Sequence, residues 1–278
     1  MPELPEVRMV VRYLNENVQG KTIDKVNIFY KRLLVDTTIL ELQNNLPGQI
    51  IESVQPYGKY IIFHLTDFEM ISHLRMEGKW ICENPETFTY GESLLEAQFW
   101  LKDDANILRY YDSRRFGTLQ LVKKGEWKNL PSIAKLGPEP FDKEATPEYL
   151  YSKTSKTTRA IKTVLLDQTV LLGLGNIYVN EVLWASEINP EEPANRLTLA
   201  DDKKILEKSR EILNDSIAHG GTTIHSFAFG DKHVGEYQRL LKVHGKNGKE
   251  CPRCGAKIVK TVVGGRGTYY CPVCQKIK

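Results

Sequence analysis

Pro2, Glu3 and Glu6 stand together at the start of this 278-residue chain, and their types suit covalent chemistry. Removal of Met1 would leave Pro2 with a free secondary amine. An α-amino group titrates near ~8, so a useful share is unprotonated at neutral pH, where a lysine is almost wholly charged. Attack of such an amine on a sugar C1′ gives an iminium ion, a covalent electron sink. Glu3 is placed to protonate a sugar ring oxygen, and Glu6 to orient a proton or a water. Each residue also has an ordinary reading. Most prolines in this position are inert, and a Glu in a first helical turn is favoured by the helix dipole.

The cysteines form a second constellation. Cys251 and Cys254 are followed after sixteen residues by Cys271 and Cys274, with Cys82 alone far upstream. Two such pairs match a four-cysteine zinc site, whose closed coordination leaves no place for substrate, so the metal is expected to be structural. Two disulfides are the competing reading, and they would be unusual in the cytosol. Between the pairs, Ile258–Val263 and Thr268–Tyr270 are β-branched and aromatic, and the intervening Gly264-Gly265-Arg266-Gly267 reads as a turn with Arg266 at its tip. Gly173-Leu174-Gly175-Asn176 opens onto a helical pattern, where Asn176 serves equally as an N-cap or as part of a phosphate site.

The elements that must position these residues follow from periodicity. Val7, Val10, Val11, Leu14 and Val18 predict an amphipathic helix that Gly20 stops. From about residue 23 to 122, short β-rich runs predict an antiparallel sandwich or barrel. They are 26–30, 50–54, 60–65, 70–74, 97–101, 107–111 and 118–122. Helical spacing returns after about 148, with helices around Ile161–Leu165, Ile177–Leu183 and Leu199–Ile217. The expected division is a helix and sandwich over 1–130, a proline-rich linker over 131–148, a helical domain over 149–240 and a zinc finger over 241–278.

Composition narrows the partners. The chain is 41% hydrophobic and 26% charged, with a net charge of +3. It has no apolar run of membrane-spanning length and no secretory start, which makes the cytoplasm the expected address. The net charge hides a segregation: residues 232–278 hold eleven Lys/Arg and two acids, a +9 tail against a −6 remainder. That suits a polyanion partner, although a merely solvated basic tail would look the same.

Several motifs together resemble the bacterial formamidopyrimidine-DNA glycosylase family. They are Met1-Pro2-Glu3-Leu4-Pro5-Glu6-Val7, Gly58-Lys59, the runs 73–78 and 112–117, Gly175-Asn176-Ile177-Tyr178-Val179-Asn180-Glu181, and the run 265–275. They occur in order along the whole chain. The resemblance implies an α+β multidomain fold: an N-terminal helix with a β-sandwich, a helix-two-turn-helix region and a zinc-finger β-hairpin. It implies a bifunctional glycosylase and abasic-site lyase for oxidised purines, acting on damaged double-stranded DNA as a monomer with one structural zinc.

Carried to matching positions, it makes Pro2 the nucleophile, Glu3 the acid that opens the sugar ring, and Glu6 a proton relay. Lys59 would serve β-elimination, and Arg266 would bind phosphates and serve δ-elimination. His73, Arg159, Lys162 and Asn176 would contact DNA, while Met76, Arg114 and Phe116 would fill the space left by an extruded base. Residues 222–237 stand where the family has a loop that closes over the lesion. Departures are Arg8, where the purine branch usually has Glu, the absence of a histidine in 92–99, Thr158 in place of a lysine, and the wording of 224–229. Arg8 leaves open a relative of the endonuclease VIII branch that prefers oxidised pyrimidines. The basic tail leaves open a zinc-containing nucleic-acid binder with no catalysis.

Overall fold

The computed structural model describes residues 2–222 and 235–278, so most of the 222–237 segment lies outside the described residues. The chain divides into two compact units, one of residues 1–134 and 220–236, the other of 135–219 and 237–278.

The first unit begins with α1 (Leu4–Val18), which Glu3 caps and which Pro5 enters in the first turn, where no intrahelical N–H is needed. Its buried face holds Val7, Val10, Val11, Leu14 and Val18, the stripe that the sequence predicts, together with Leu4. Each such side chain contributes ~1.5–3 kcal/mol on burial. The helix lies against two antiparallel four-stranded sheets. One is ordered β1 (Ile23–Ile28), β6 (Leu95–Leu101), β7 (Ile107–Tyr111), β5 (Lys79–Glu83); the other β2 (Ile51–Tyr57), β3 (Tyr60–Leu65), β4 (Phe68–His73), β8 (Thr118–Lys123). Val26, Trp80, Phe99 and Leu108 from the first sheet meet Val54, Phe63, Met70 and Leu119 from the second in one core with α1.

Polar contacts fix where α1 sits. The Asn15 amide accepts from the Val54 N–H at 2.8 Å and donates to the Val54 carbonyl at 2.7 Å, as a neighbouring strand would. Tyr13 Oη accepts the Cys82 N–H on β5 at 2.8 Å. Strand β5 and the short helix α2 (Ile39–Asn45), which Thr38 caps, have no counterpart in the sequence reading.

The second unit holds α3 (Pro147–Thr154), α4 (Ile161–Leu166), α5 (Asn176–Ser186), α6 (Leu199–Ala218) and the hairpin β9 (Val259–Val263) with β10 (Arg266–Tyr270). The expected linker over 131–148 is, from Lys135 onward, a strap bound to this unit. Gly137 N–H donates to Gln168 O and Leu172 N–H to Pro138 O, both at 2.9 Å, and Arg210 donates to the Pro140 and Ala145 carbonyls. Proline density marks irregular backbone there, not a lack of packing. No helix among the described residues is long and apolar enough to cross a membrane.

Candidate active site and nucleic-acid interface

In the first unit the start of α1 is buried: Glu3 is 2% exposed and Glu6 3%. As the third helical residue, Glu6 accepts the Glu3 backbone N–H on Oε2 at 2.9 Å. Its other oxygen, Oε1, accepts both the backbone N–H of Thr222 at 2.8 Å and the Thr222 hydroxyl at 2.9 Å. One carboxylate thus holds both the backbone beside Pro2 and Thr222. Sequence reasoning placed Thr222 only at the start of the 222–237 loop and gave it no bond to Glu6, because 216 residues separate the partners.

Lys59 lies in the two-residue turn between β2 and β3 and is buried. Close by, His73 ends β4 across the sheet from Tyr60, their rings edge to face at 4.7 Å. Burial, helped by the positive charges of Arg75 and Lys59, pulls the His73 pKa down to about 3. The ring is therefore neutral at physiological pH. Its Nδ1 accepts the Arg75 backbone N–H at 3.0 Å, which places the proton on Nε2 and makes that nitrogen a donor.

Two loops carry the expected void-filling residues. Met76 is half-buried in the turn after β4. Arg114 and Phe116 are exposed in the turn after β7, with the guanidinium 5.0 Å from the ring centroid and Phe116 54% exposed. Asp112 organises that turn: its carboxylate accepts the N–H groups of Arg114 at 2.8 Å, Phe116 at 2.9 Å and Gly117 at 2.8 Å. Arg75 and Arg115 each adopt a left-handed φ, of 52° and 57°, so both loops hold backbone strain beside the residues they present.

In the second unit the four cysteine sulfurs lie within 4.8 Å of one another. Four thiolates about 2.3 Å from a zinc ion stand about 3.8 Å apart. The Cys251–Cys274 and Cys254–Cys271 separations of 3.9 and 3.5 Å fit that tetrahedron. Trp184 Nε1 donates to Cys251 Sγ at 3.4 Å, and Gln275 ties the second knuckle to the chain just beyond α5 by donating to Ile188 O at 2.8 Å.

The hairpin departs from expectation in one respect. Gly264 and Gly265, with φ of 55° and 73°, form the two-residue turn themselves. Arg266 is exposed at the first position of β10, opposite Val263. Asn176 is the first residue of α5, not its cap, which is Gly175; its Nδ2 donates to the Gly267 carbonyl at 3.0 Å.

Lys162 is corrected more sharply. It is 0% exposed, and its ammonium donates to Asn180 Oδ1 at 2.9 Å, Gly267 O at 3.0 Å and Thr268 Oγ1 at 2.7 Å. With its hydrogens on three protein acceptors, it fastens the hairpin to α5 and presents no exposed ammonium to a phosphate. Arg159 is exposed, with both terminal nitrogens 3.3 Å from Asp167 Oδ2. Glu181, quoted in the sequence motif without a role, accepts the N–H groups of Lys242, Val243 and His244 at 2.7, 3.0 and 2.7 Å. These carboxylate and ammonium anchors look in sequence like any surface charge.

Comparison with known proteins agrees with this architecture. Residues 1–119 match the formamidopyrimidine-DNA glycosylase N-terminal domain, 136–228 the H2TH domain of formamidopyrimidine-DNA glycosylase, and 248–277 the zinc finger found in FPG and IleRS. A formamidopyrimidine-DNA glycosylase of Bacillus cereus is 44% identical over 276 residues, covering 99% of both chains. The Lactococcus lactis Fpg in complex with abasic-site DNA superposes with a TM-score of 0.91 at 38% identity, covering 99% of each chain. A MutM protein bound to DNA containing carbocyclic 8-oxo-G gives 0.91 and 38%, covering 99% of this chain and 100% of the other.

Proposed function

We infer the chemistry from one premise: the chain belongs to the formamidopyrimidine-DNA glycosylase family. It is a DNA glycosylase that removes 8-oxoguanine and formamidopyrimidine lesions and acts at abasic sites. The reading of its residues rests on the buried terminus in which Glu6 spans Glu3 and Thr222.

With Met1 removed, the Pro2 nitrogen attacks C1′ of the damaged nucleotide. The C1′–base bond breaks, the base leaves with a proton, and the nitrogen loses its own proton to give a neutral aminal. Glu3 then protonates the ring oxygen, so that the C1′–O4′ bond breaks and the nitrogen lone pair forms the iminium. Glu6, fixed on both oxygens, holds the Glu3 backbone in place and relays the proton. Loss of a C2′ proton then expels the 3′ phosphate, a β-elimination served by Lys59. A second elimination, served by Arg266, expels the 5′ phosphate. His73 offers a neutral Nε2–H donor to a phosphate. Asn176 offers a first-turn backbone N–H and its remaining amide hydrogen.

Met76, Arg114 and Phe116 fill the stack while the lesion is extruded. Zinc, held by Cys251, Cys254, Cys271 and Cys274, supplies no reactive position; it sets the frame on which Arg266 stands.

Gel analysis of an 8-oxoguanine duplex tests this reading. A one-nucleoside gap with phosphate at both ends is expected. An intact strand after incubation, or base loss with no strand cleavage, would overturn it.

A further inference from the structure

The two void-filling loops share one floor. Gly78 closes the loop that carries Met76, and Gly117 closes the loop that carries Arg114 and Phe116. A Cβ placed on Gly78 would lie 2.0 Å from the Tyr110 hydroxyl oxygen, and one placed on Gly117 only 1.8 Å from it. A single oxygen therefore occupies the space in which both side chains would begin. Tyr110 comes from β7, is 0% exposed and stacks edge to face on Trp80 at 5.0 Å, so its ring cannot swing away.

The hydroxyl makes no hydrogen bond among the described residues. What the oxygen does touch is the two loops, at Gly78 and Gly117. The surroundings are polar in the same unusual way. Glu96, at the bulge of β6, is 1% exposed with neither carboxylate oxygen hydrogen-bonded. Burial and the nearby Asp112 charge push its pKa up to about 8, so it stays protonated at neutral pH. Asp112 alone is left to hold the loop amides.

We propose that Tyr110 is a positioning residue for base extrusion, its hydroxyl acting as a spacer that fixes Met76 relative to Arg114 and Phe116 through contact with Gly78 and Gly117. This rests on the void-filling role given to those three side chains under Proposed function. The hydroxyl sets loop geometry with no hydrogen bond to a described residue.

Tyr110→Phe removes only that oxygen. Excision from an 8-oxoguanine duplex in single turnover is expected to slow about tenfold, the scale on which sub-ångström misplacement acts. Nicking of a single-stranded abasic oligonucleotide, which has no stack to fill, should be unchanged, and the thermal midpoint should hold or rise. A parallel Phe116→Ala variant separates the two levels of the argument. If Phe116→Ala leaves duplex excision intact, the void-filling reading fails and the spacer role with it. If Phe116→Ala slows the duplex reaction and Tyr110→Phe does not, the spacer role alone is overturned. Equal loss on both substrates, or a lowered midpoint, would make Tyr110 a fold residue and overturn it too.

Discussion

Glu6 has two duties, and the second was invisible in sequence. Its place three residues after the N-cap is legible as capping, since the spacing itself produces the contact with the Glu3 N–H. Its grip on Thr222 arises only when the chain returns. Thr222→Val keeps the backbone donor and loses the hydroxyl, and the missing bond to a buried carboxylate is worth about 1.5–3 kcal/mol. Pre-steady-state excision should fall by about tenfold or more, with duplex affinity little changed; an unaltered rate would remove Thr222 from the site. His73 makes a prediction about pH. Its folded pKa of about 3 lies below the ordinary 6.5, so it stays neutral from pH 5.5 to 8. His73→Phe should therefore weaken duplex binding by the same factor, about tenfold or more for a hydrogen bond to a charged phosphate, at pH 5.5 and at pH 7.5. A deficit that grows toward acid would mean that His73 binds as a cation.

At the scale of elements, amphipathic spacing read α1 and α6 to within a few residues, because each buries one stripe, and apolar spacing placed α4 and the more fully buried α5 as well. Strand β5 was missed: Lys79-Trp80-Ile81-Cys82-Glu83 is an edge strand with only three apolar residues in a row and no alternation of buried and exposed positions, and Tyr13 from α1 holds it in place. The hairpin was legible except for Arg266, which the two-glycine turn moves into β10. Zinc, Lys162 and Gln275 all fix that hairpin, so stripping the metal should abolish duplex binding. The melting transition of the sandwich should remain, since its core contains no ligand; retained binding after chelation would show that the finger is dispensable. Helix α6 offers a stability test. Asp202 is 0% exposed, and burial raises its pKa to about 6, although the Thr154 hydroxyl donates to it at 2.7 Å. A raised carboxylate pKa means the folded state holds the proton more tightly. The contribution is full below about pH 4 and is lost as pH rises through 6. Asp202→Asn should gain on the order of 2 kcal/mol at pH 7 and almost nothing at pH 4, measured by denaturant unfolding; equal gains at both pH values would contradict it.

For the whole molecule, the net charge of +3 concealed the basic tail that the zinc hairpin displays, while the order of motifs along the chain carried the family from end to end. The tail was legible as a count of charges; the buried anchors were not, because a saturated lysine and a solvated one are written alike. The central claim is that Pro2 is the covalent nucleophile. Borohydride present during reaction with an 8-oxoguanine duplex should reduce the iminium and trap the protein on DNA, and peptide mass mapping should place the adduct on residue 2. Trapping should vanish in Pro2→Gly preparations that keep Met1. An adduct mapped to Lys59 or another lysine, or excision that proceeds with no trapped species, would contradict the account.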